Sequence, residues 1–291
     1  MELTGVFVPV VTPFDVSGRV DVARLDQVIA SLLSAGVHGI VVCGTTGEAY
    51  SLSLEERRAV SARVKEVVGG RVPILGGVGG MSTDQAIDQA LLAKALELDG
   101  LMLAAPAYCL PTPAELATHV RSVVAAAGLP TILYDYPQRT GVSFSFDILD
   151  DLADDPLIAG VKEASGDLDR IPTFIERYDD RLELVCGADA DATAFFEAGS
   201  RCWIGGIANL LPTAHVAMLD PELRTQVDAA IAPVLRYTES GHYVAKIKAG
   251  MGLRGVDVGI PRRPLSPLDE AGTRELATLL DAAGPWAPPL T

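Results

Sequence analysis

Short, almost unbroken apolar runs recur along the chain and alternate with segments of helical periodicity. Unbroken apolar runs are typical of parallel strands that are covered on both faces. Because a strand-then-helix unit repeats every ~30 residues, the pattern predicts an α/β fold, a (β/α)8 TIM barrel. The eight strand-like runs are residues 5–11, 39–44, 72–78, 100–105, 129–135, 157–163, 182–189 and 201–206.

Local signals at the helix ends support this alternation. Three pairs fit a capping box, in which the residue before the helix and the third helical residue exchange hydrogen bonds; they are Ser53 with Glu56, Ser82 with Gln85, and Thr112 with Glu115. Pro113 fits the first position of a helix. Four glycines are predicted to end helices; they are Gly36, Gly100, Gly128 and Gly199.

The chain continues well beyond the eighth run, farther than one closing helix requires. Three helical patterns cover residues 223–241, 243–255 and 269–284. We therefore assign residues 1–220 to the barrel and 221–291 to a C-terminal helical extension packed on it. A doubly wound dinucleotide fold fits less well, because GGVGG at 76–80 does not satisfy the GxGxxG pattern.

The composition of the chain limits the kinds of partner that we expect it to bind. A formal net charge of -15 argues against nucleic acid and acidic membranes. No apolar stretch is long enough to span a bilayer, and no basic segment precedes the first apolar run, so we expect no signal peptide. The histidines show no metal-binding spacing, and we predict no metal. Four widely spaced cysteines predict buried, reduced thiols in a cytoplasmic protein; they are Cys43, Cys109, Cys186 and Cys202.

Lys162 is the residue that conflicts most with its surroundings, since it lies at the end of the apolar run 157–163. Burial disfavours the ammonium form and yields a nucleophilic amine, which attacks a ketone to form a Schiff base. The alternative is a lysine that reaches solvent or pairs with Glu163. Side chains of consecutive strand residues point to opposite faces, which weakens that pairing.

Other polar residues follow the ends of the predicted strands, where barrel active sites collect. The GTTGE turn at 44–48 could bind an anion through its N–H groups, or be a plain glycine-rich turn. Tyr134 could transfer protons or be a buried tyrosine with a satisfied hydroxyl. Arg139 could bind a carboxylate or lie on the surface. Tyr108 follows the fourth run, Gly187 lies near the end of the seventh, and Ile207 follows the eighth.

Three motifs in this order, GTTGE, YDYPQRTG (134–141) and GVKEASGD (160–167), resemble the dihydrodipicolinate synthase / N-acetylneuraminate lyase family of class I aldolases. The similarity runs from VPVVTPF (8–14) to RRPLSPL (262–268), nearly the whole chain. The resemblance implies a homotetramer, a dimer of dimers, of (β/α)8 barrels. It also implies a lyase or synthase that uses no external cofactor, because Lys162 forms an imine with pyruvate or another 2-oxo acid.

The resemblance also implies roles for individual residues. Thr45 and Thr46 would hold the carboxylate of the oxo acid. Tyr134 would carry protons at the reacting carbon, and Tyr108 of a neighbouring subunit would complete a Thr45–Tyr134 relay. We expect Gly187 and Ile207 to contribute to substrate binding.

Which family member this is depends on the second substrate. Arg139 matches the arginine that binds the carboxylate of aspartate semialdehyde in the synthases. Asp135 replaces the usual asparagine of that motif. Ala190 after Asp189 breaks the acidic pair of sialic-acid lyases, so that activity ranks low.

Residues at several other positions differ from those of dihydrodipicolinate synthases. Met81, Gln85 and Ala107 occupy the positions of an allosteric lysine pocket and offer a free lysine few polar partners. The stretch PAYCLP also departs from the usual PYYN.

Three hypotheses follow. The first is condensation of pyruvate with aspartate semialdehyde. The second is cleavage or dehydration of a 2-keto-3-deoxy sugar acid or a related 2-oxo acid. The third is a barrel that binds 2-oxo acids without turnover. It is the weakest, because all the relay residues are present.

Overall fold

Eight parallel strands follow one another around a closed barrel in the order of the sequence. The computed structural model describes residues 2–178 and 181–290. The predicted (β/α)8 fold is confirmed. The strands are β1 (Gly5–Pro9), β2 (Gly39–Val42), β3 (Ile74–Val78), β4 (Gly100–Ala104), β5 (Thr131–Asp135), β6 (Ile158–Glu163), β7 (Glu183–Cys186) and β8 (Cys202–Ile204).

Helices separate the strands and continue after the last one. The final three, α10 to α12, match the three helical patterns predicted beyond the barrel. The helices are α1 (Val22–Ser34), α2 (Leu54–Val68), α3 (Thr83–Ala95), α4 (Pro113–Ala127), α5 (Pro137–Thr140), α6 (Phe146–Leu152), α7 (Arg170–Tyr178), α8 (Ala192–Glu197), α9 (Pro212–Ala217), α10 (Pro221–Glu239), α11 (Tyr243–Leu253) and α12 (Glu270–Ala282).

Packing divides the chain into two compact units. The first contains residues 2–4 and Pro73–Ile204, hence β3 to β8 and the helices between them. The second contains Gly5–Val72 and residues 205–290, hence β1, β2 and the C-terminal helices, which pack on one another and on α9. This division differs from the predicted boundary between a barrel (1–220) and a C-terminal extension (221–291). That boundary stays a prediction.

The strands are apolar because both of their faces are covered. Every residue of β1, β2, β3 and β5 is buried, as is every residue of β8. Burying a large aliphatic side chain contributes about 1.5–3 kcal/mol. These strands therefore form the core of each unit, and a charged residue within them is an exception.

The predicted helix ends are mostly confirmed. The boxes at Ser53 and Thr112 are complete, and Gly128 ends α4 in the left-handed conformation. At α3 the box is half formed, because the Gln85 side chain accepts from the Met81 N–H instead of Ser82. The prediction for Gly100 is wrong. Helix α3 stops at Ala95, and a left-handed Glu97 turns the chain, so Gly100 begins β4.

Three features of the structure concern the cysteines, a membrane crossing and a metal site. Cys43, Cys186 and Cys202 are buried, but Cys109 is exposed, so the expectation for that thiol is wrong; it lies in the loop before α4. Within residues 2–178 and 181–290, no helix combines the length and apolar character that a membrane crossing needs. Nor do any three His, Cys, Asp or Glu residues there group closely enough to hold a metal ion.

Arg170, the first residue of α7, joins the ends of β5 and β6. Its guanidinium lies 3.1 Å from the Asp135 carboxylate and 3.0 Å from the Glu163 carboxylate. It also donates to the Ser143 hydroxyl at 3.1 Å. Both acidic side chains are buried, and burial raises the pKa of each. Asp135, unusual in this motif, therefore has a cationic partner.

We expect Arg170→Met to lower the free energy of unfolding by about 3–5 kcal/mol, because it leaves two buried carboxylates without a cation. Chemical denaturation measures this. Arg177→Met is the control, since Arg177 lies over the same Phe146 ring but forms an exposed ion pair with Asp150. Its loss should cost at most about 1 kcal/mol. Equal losses for the two variants would contradict the role given to Arg170.

Candidate active site

Lys162 lies one residue before the end of β6 and is 5% exposed. It is in register with Tyr134 of β5 and Val185 of β7. Residues in register point to the same face, and the Lys162 Nζ lies 4.1 Å from the centre of the Tyr134 ring. The strand pairing therefore places the amine against a phenol, deep in the first unit.

Lys162 differs from every other buried cation that the structure describes. Five lysine and arginine side chains are buried, and four of them donate hydrogen bonds to protein oxygens. Within the described residues, Lys162 makes neither a hydrogen bond nor an ion pair. Unpaired buried charge is costly, so this amine favours its neutral form. The other four are Arg57, Lys246, Lys248 and Arg254.

Burial lowers the pKa of Lys162 to about 8. The Arg139 guanidinium acts in the same direction, while Asp189, Cys186 and Cys202 oppose it. Glu163 is not a partner, because it points away and pairs with Arg170. The alternative considered for Lys162, a salt bridge to Glu163, is thus excluded. A sizeable fraction of the amine is neutral slightly above physiological pH.

Tyr134 is 7% exposed, and burial raises the pKa of its phenol. The Tyr136 ring lies 5.8 Å away, centre to centre. Tyr134 therefore keeps its proton at neutral pH, and its ring lies against the Lys162 amine.

Gly187 leaves room for the Lys162 side chain. A β-carbon at this position would lie 2.6 Å from the Glu163 carbonyl oxygen and 2.9 Å from Lys162 Cγ. Real contacts are never this short, so any side chain at 187 would displace the lysine. Gly187 thus borders the stem of Lys162; its predicted contact with substrate stays a prediction.

Asp189 is a site residue that the motif analysis passed over. It is 2% exposed, and the Trp203 indole N–H donates to its carboxylate at 3.0 Å. Its negative charge raises the pKa of both Lys162 and Tyr134. Its sequence signal was its place as the last residue of the predicted run 182–189, at the end where barrel active sites collect.

Arg139 and Tyr108 are exposed in the isolated chain. Arg139 lies in α5, and its guanidinium carbon is 5.2 Å from the centre of the Tyr136 ring. Tyr108 is 90% exposed and adopts a positive φ of 73° in the loop before α4. Of the contacts within residues 2–178 and 181–290, no hydrogen bond or ring contact involves the Tyr108 side chain. Its predicted part in a relay with a neighbouring subunit stays a prediction.

The predicted carboxylate-binding residues lie in the second unit. Thr46 and Gly47 are buried in the turn after β2, and Thr45 is half-buried. Among the described residues, the backbone N–H groups of Thr45, Thr46 and Gly47 have no hydrogen-bond acceptor. Groups of N–H donors in a turn can bind an anion, and the predicted carboxylate site at this turn stays a prediction. Ile207 is fully buried in the short 3-10 turn 206–209.

The closed (β/α)8 barrel and the unpaired amine at a strand end are features of a class I aldolase. Sequence comparison identifies the particular family: residues 2–283 match the Dihydrodipicolinate synthetase family. The chain belongs to this family, as its motifs predicted.

Relatives with known names agree with this assignment. The 4-hydroxy-tetrahydrodipicolinate synthase of Methanoculleus marisnigri is 35% identical over 95% of this chain and 98% of its own length. The chloride-inhibited dihydrodipicolinate synthase of Acinetobacter baumannii, solved with pyruvate, superposes with a TM-score of 0.93 at 32% identity, covering 97% of this chain and 99% of that one. The synthase of Methylacidiphilum fumariolicum gives a TM-score of 0.94 at 27% identity, covering 98% and 97%.

We expect Lys162→Met to raise the free energy of unfolding at pH 7 by roughly 1–3 kcal/mol, because the folded state carries the ammonium at a cost. The lowered pKa sets the window. As pH rises from about 8 toward 10.5, the amine becomes neutral in both states and the gain disappears. Denaturation at pH 7 and pH 10 measures the difference. The exposed Lys94→Met is the control, and a gain independent of pH would contradict the assignment.

Proposed function

We propose that the protein condenses pyruvate with aspartate semialdehyde, the reaction of a 4-hydroxy-tetrahydrodipicolinate synthase. The observation that carries the proposal is the buried, unpaired Lys162 amine beside Tyr134, in a chain whose named relatives are such synthases. The Acinetobacter baumannii relative was solved with pyruvate, which supports pyruvate as the first substrate.

The chemistry begins at the neutral amine. Lys162 Nζ attacks the ketone carbon of pyruvate, and the resulting carbinolamine loses water to give a protonated imine. That imine withdraws electrons from the adjacent methyl group, which loses a proton to form an enamine. The enamine carbon then attacks the aldehyde of the second substrate. No external cofactor is needed for these steps, because the lysine itself is the electron sink.

Tyr134 is proposed to carry protons in these steps. Because burial raises its pKa, the phenol is protonated at neutral pH and has a proton to give to the departing hydroxyl, which leaves as water. The phenolate that remains is a strong base and takes a proton from the methyl group when the enamine forms. Thr45 is proposed to connect it to Tyr108 of a neighbouring subunit. The 90% exposure of Tyr108 supports a partner subunit that covers this side chain, and we propose that this occurs in a homotetramer, a dimer of dimers.

The two carboxylates of the substrates are proposed to bind at separate places. Thr45 and Thr46 receive the carboxylate of pyruvate through their unpaired N–H groups and the Thr46 hydroxyl. The exposed guanidinium of Arg139 receives the carboxylate of the semialdehyde, as a planar fork suited to two parallel hydrogen bonds. Gly187 and Ile207 border the bound substrate.

Borohydride reduction in the presence of pyruvate should leave a stable adduct on Lys162, detected by mass spectrometry of the peptide that contains it. The rate of trapping should rise as pH increases through about 8, because the neutral amine is the nucleophile. Lys162→Ala should abolish the adduct, and Lys94→Met should leave it unchanged. An adduct that survives Lys162→Ala would refute the assignment.

Arg139→Ala should lower kcat/KM for aspartate semialdehyde by about 10- to 100-fold, through loss of charge-assisted hydrogen bonds. Pyruvate trapping should change far less, because burial, and not Arg139, is the main cause of the lowered Lys162 pKa. An aldehyde of similar size without a carboxylate serves as the matched substrate. Equal loss with both aldehydes would identify a structural arginine.

A panel of substrates separates the remaining functions. Cleavage of 2-keto-3-deoxy sugar acids without condensation would favour a sugar-acid aldolase or dehydratase. Adduct formation with no turnover of any aldehyde or 2-oxo acid would indicate a binding protein.

A further inference from the structure

Four side chains of the first unit form a continuous series of contacts that begins at Lys162. The Lys162 Nζ lies 4.1 Å from the centre of the Tyr134 ring, and the Tyr136 ring follows at 5.8 Å, centre to centre. The guanidinium carbon of Arg139 lies 5.2 Å from the centre of the Tyr136 ring. Tyr134 carries protons in the proposed chemistry, whereas Tyr136 has no role in it.

The turn that forms α5 fixes the Tyr136 ring relative to the guanidinium. Tyr136 directly precedes α5, and Arg139 lies three residues later, a spacing that brings side chains together on a helix. The Tyr136 carbonyl accepts from the Arg139 N–H at 2.9 Å and from the Thr140 N–H at 3.2 Å. The Gln138 side chain donates to the Ser165 carbonyl, which ties this turn to the loop after β6. The backbone therefore holds the ring and the guanidinium at a constant spacing.

Arg139 differs from other arginines that lie over aromatic rings. Four of those also form ion pairs with carboxylates, whereas within residues 2–178 and 181–290 no carboxylate lies within ion-pair distance of the Arg139 guanidinium. A contact through the face of a guanidinium leaves the N–H groups at its edges available, and those edges suit a carboxylate. The four are Arg170, Arg177, Arg181 and Arg262.

The charge of Arg139 reaches the reacting groups although its side chain is exposed. Burial is the main cause of the lowered pKa of Lys162 and of the raised pKa of Tyr134; the Arg139 charge adds to the first and opposes the second. A long surface side chain loses rotamer freedom when it binds a ligand. Because the Tyr136 ring restrains the guanidinium beforehand, less freedom is lost when a substrate binds.

We propose that Tyr136 is a positioning residue that holds the Arg139 guanidinium beside the Lys162 site and thereby makes the protein selective for an aldehyde with a carboxylate. This rests on the proposed function, in which Arg139 receives the carboxylate of the second substrate. The Tyr136 ring acts through the guanidinium, and its hydroxyl group is not required.

Tyr136→Leu tests the proposal, because it removes the ring and keeps an apolar side chain. The KM for aspartate semialdehyde, from initial rates of pyruvate consumption at saturating pyruvate, should rise about 2- to 30-fold, the range of a cation–ring contact. The kcat should change little, because the carboxylate contact is equal in ground and transition states. The KM for an aldehyde of similar size without a carboxylate should not change. Tyr136→Phe, which keeps the ring, should retain the wild-type KM.

A double-mutant cycle with Arg139→Ala shows whether the ring acts through the guanidinium. In the Arg139→Ala background, Tyr136→Leu should cause no further rise in KM. Phe146→Leu is the matched control, because Phe146 lies in the same unit and its ring contacts other arginines; it should leave the KM for both aldehydes unchanged. Tyr136→Met provides the same test if Tyr136→Leu folds poorly, and borohydride trapping of pyruvate on Lys162 reports folding.

The outcomes separate this inference from the proposed function. A wild-type protein with no pyruvate adduct on Lys162, or with no condensation, overturns both. If Arg139→Ala raises the KM for the semialdehyde but Tyr136→Leu and Tyr136→Met do not, only the role of Tyr136 is overturned. An equal effect on both aldehydes, or a further rise in KM in the Arg139→Ala background, also overturns that role, because the ring would then not act through the guanidinium.

Discussion

The site in this protein depends on one amine that is buried without a counter-charge. A protein can hold a lysine in this way only where the surrounding strands are rigid enough to prevent it from reaching solvent. Strand β6 meets this need, since it is paired on both sides and its outer face is anchored by Arg170. The cost of the unpaired ammonium appears as a lowered pKa, which is also what makes the amine a nucleophile.

The other buried charges show how exceptional this is. Glu48 and Lys248 neutralise each other, and Asp135 and Glu163 share Arg170. Each of these clusters joins segments that are far apart in sequence and leaves little charge uncompensated. Buried charge among the described residues is therefore held either by an ion pair or, as for Lys246 and Arg254, by hydrogen bonds to carbonyl oxygens. An unpaired group in the same protein calls for a chemical explanation rather than a structural one.

Small residues matter as much as charged ones at this site. Gly187 is required because Lys162 Cγ and a carbonyl oxygen occupy the volume that a β-carbon would take. At Gly206, a β-carbon would overlap the Tyr243 hydroxyl and lie 2.6 Å from the Thr46 hydroxyl oxygen, so this glycine too allows close approach. In both cases the glycine has no side chain, so a neighbouring side chain can occupy the volume beside it. Neither role depends on backbone flexibility.

The sequence by itself determined the barrel, most helix ends and the unusual character of Lys162. These features follow from local rules. Strands that are covered on both faces must be apolar, and a capping box involves residues only three positions apart. A charged residue within an apolar run is therefore easy to recognise in the sequence. Tertiary structure alone decided that Arg170 joins Asp135 to Glu163, that Trp203 holds Asp189, and that the Tyr243 hydroxyl packs against Gly206. It also decided that Cys109 and Tyr108 are exposed. Such contacts depend on strand register and helix packing between distant segments, which no local pattern of residues encodes.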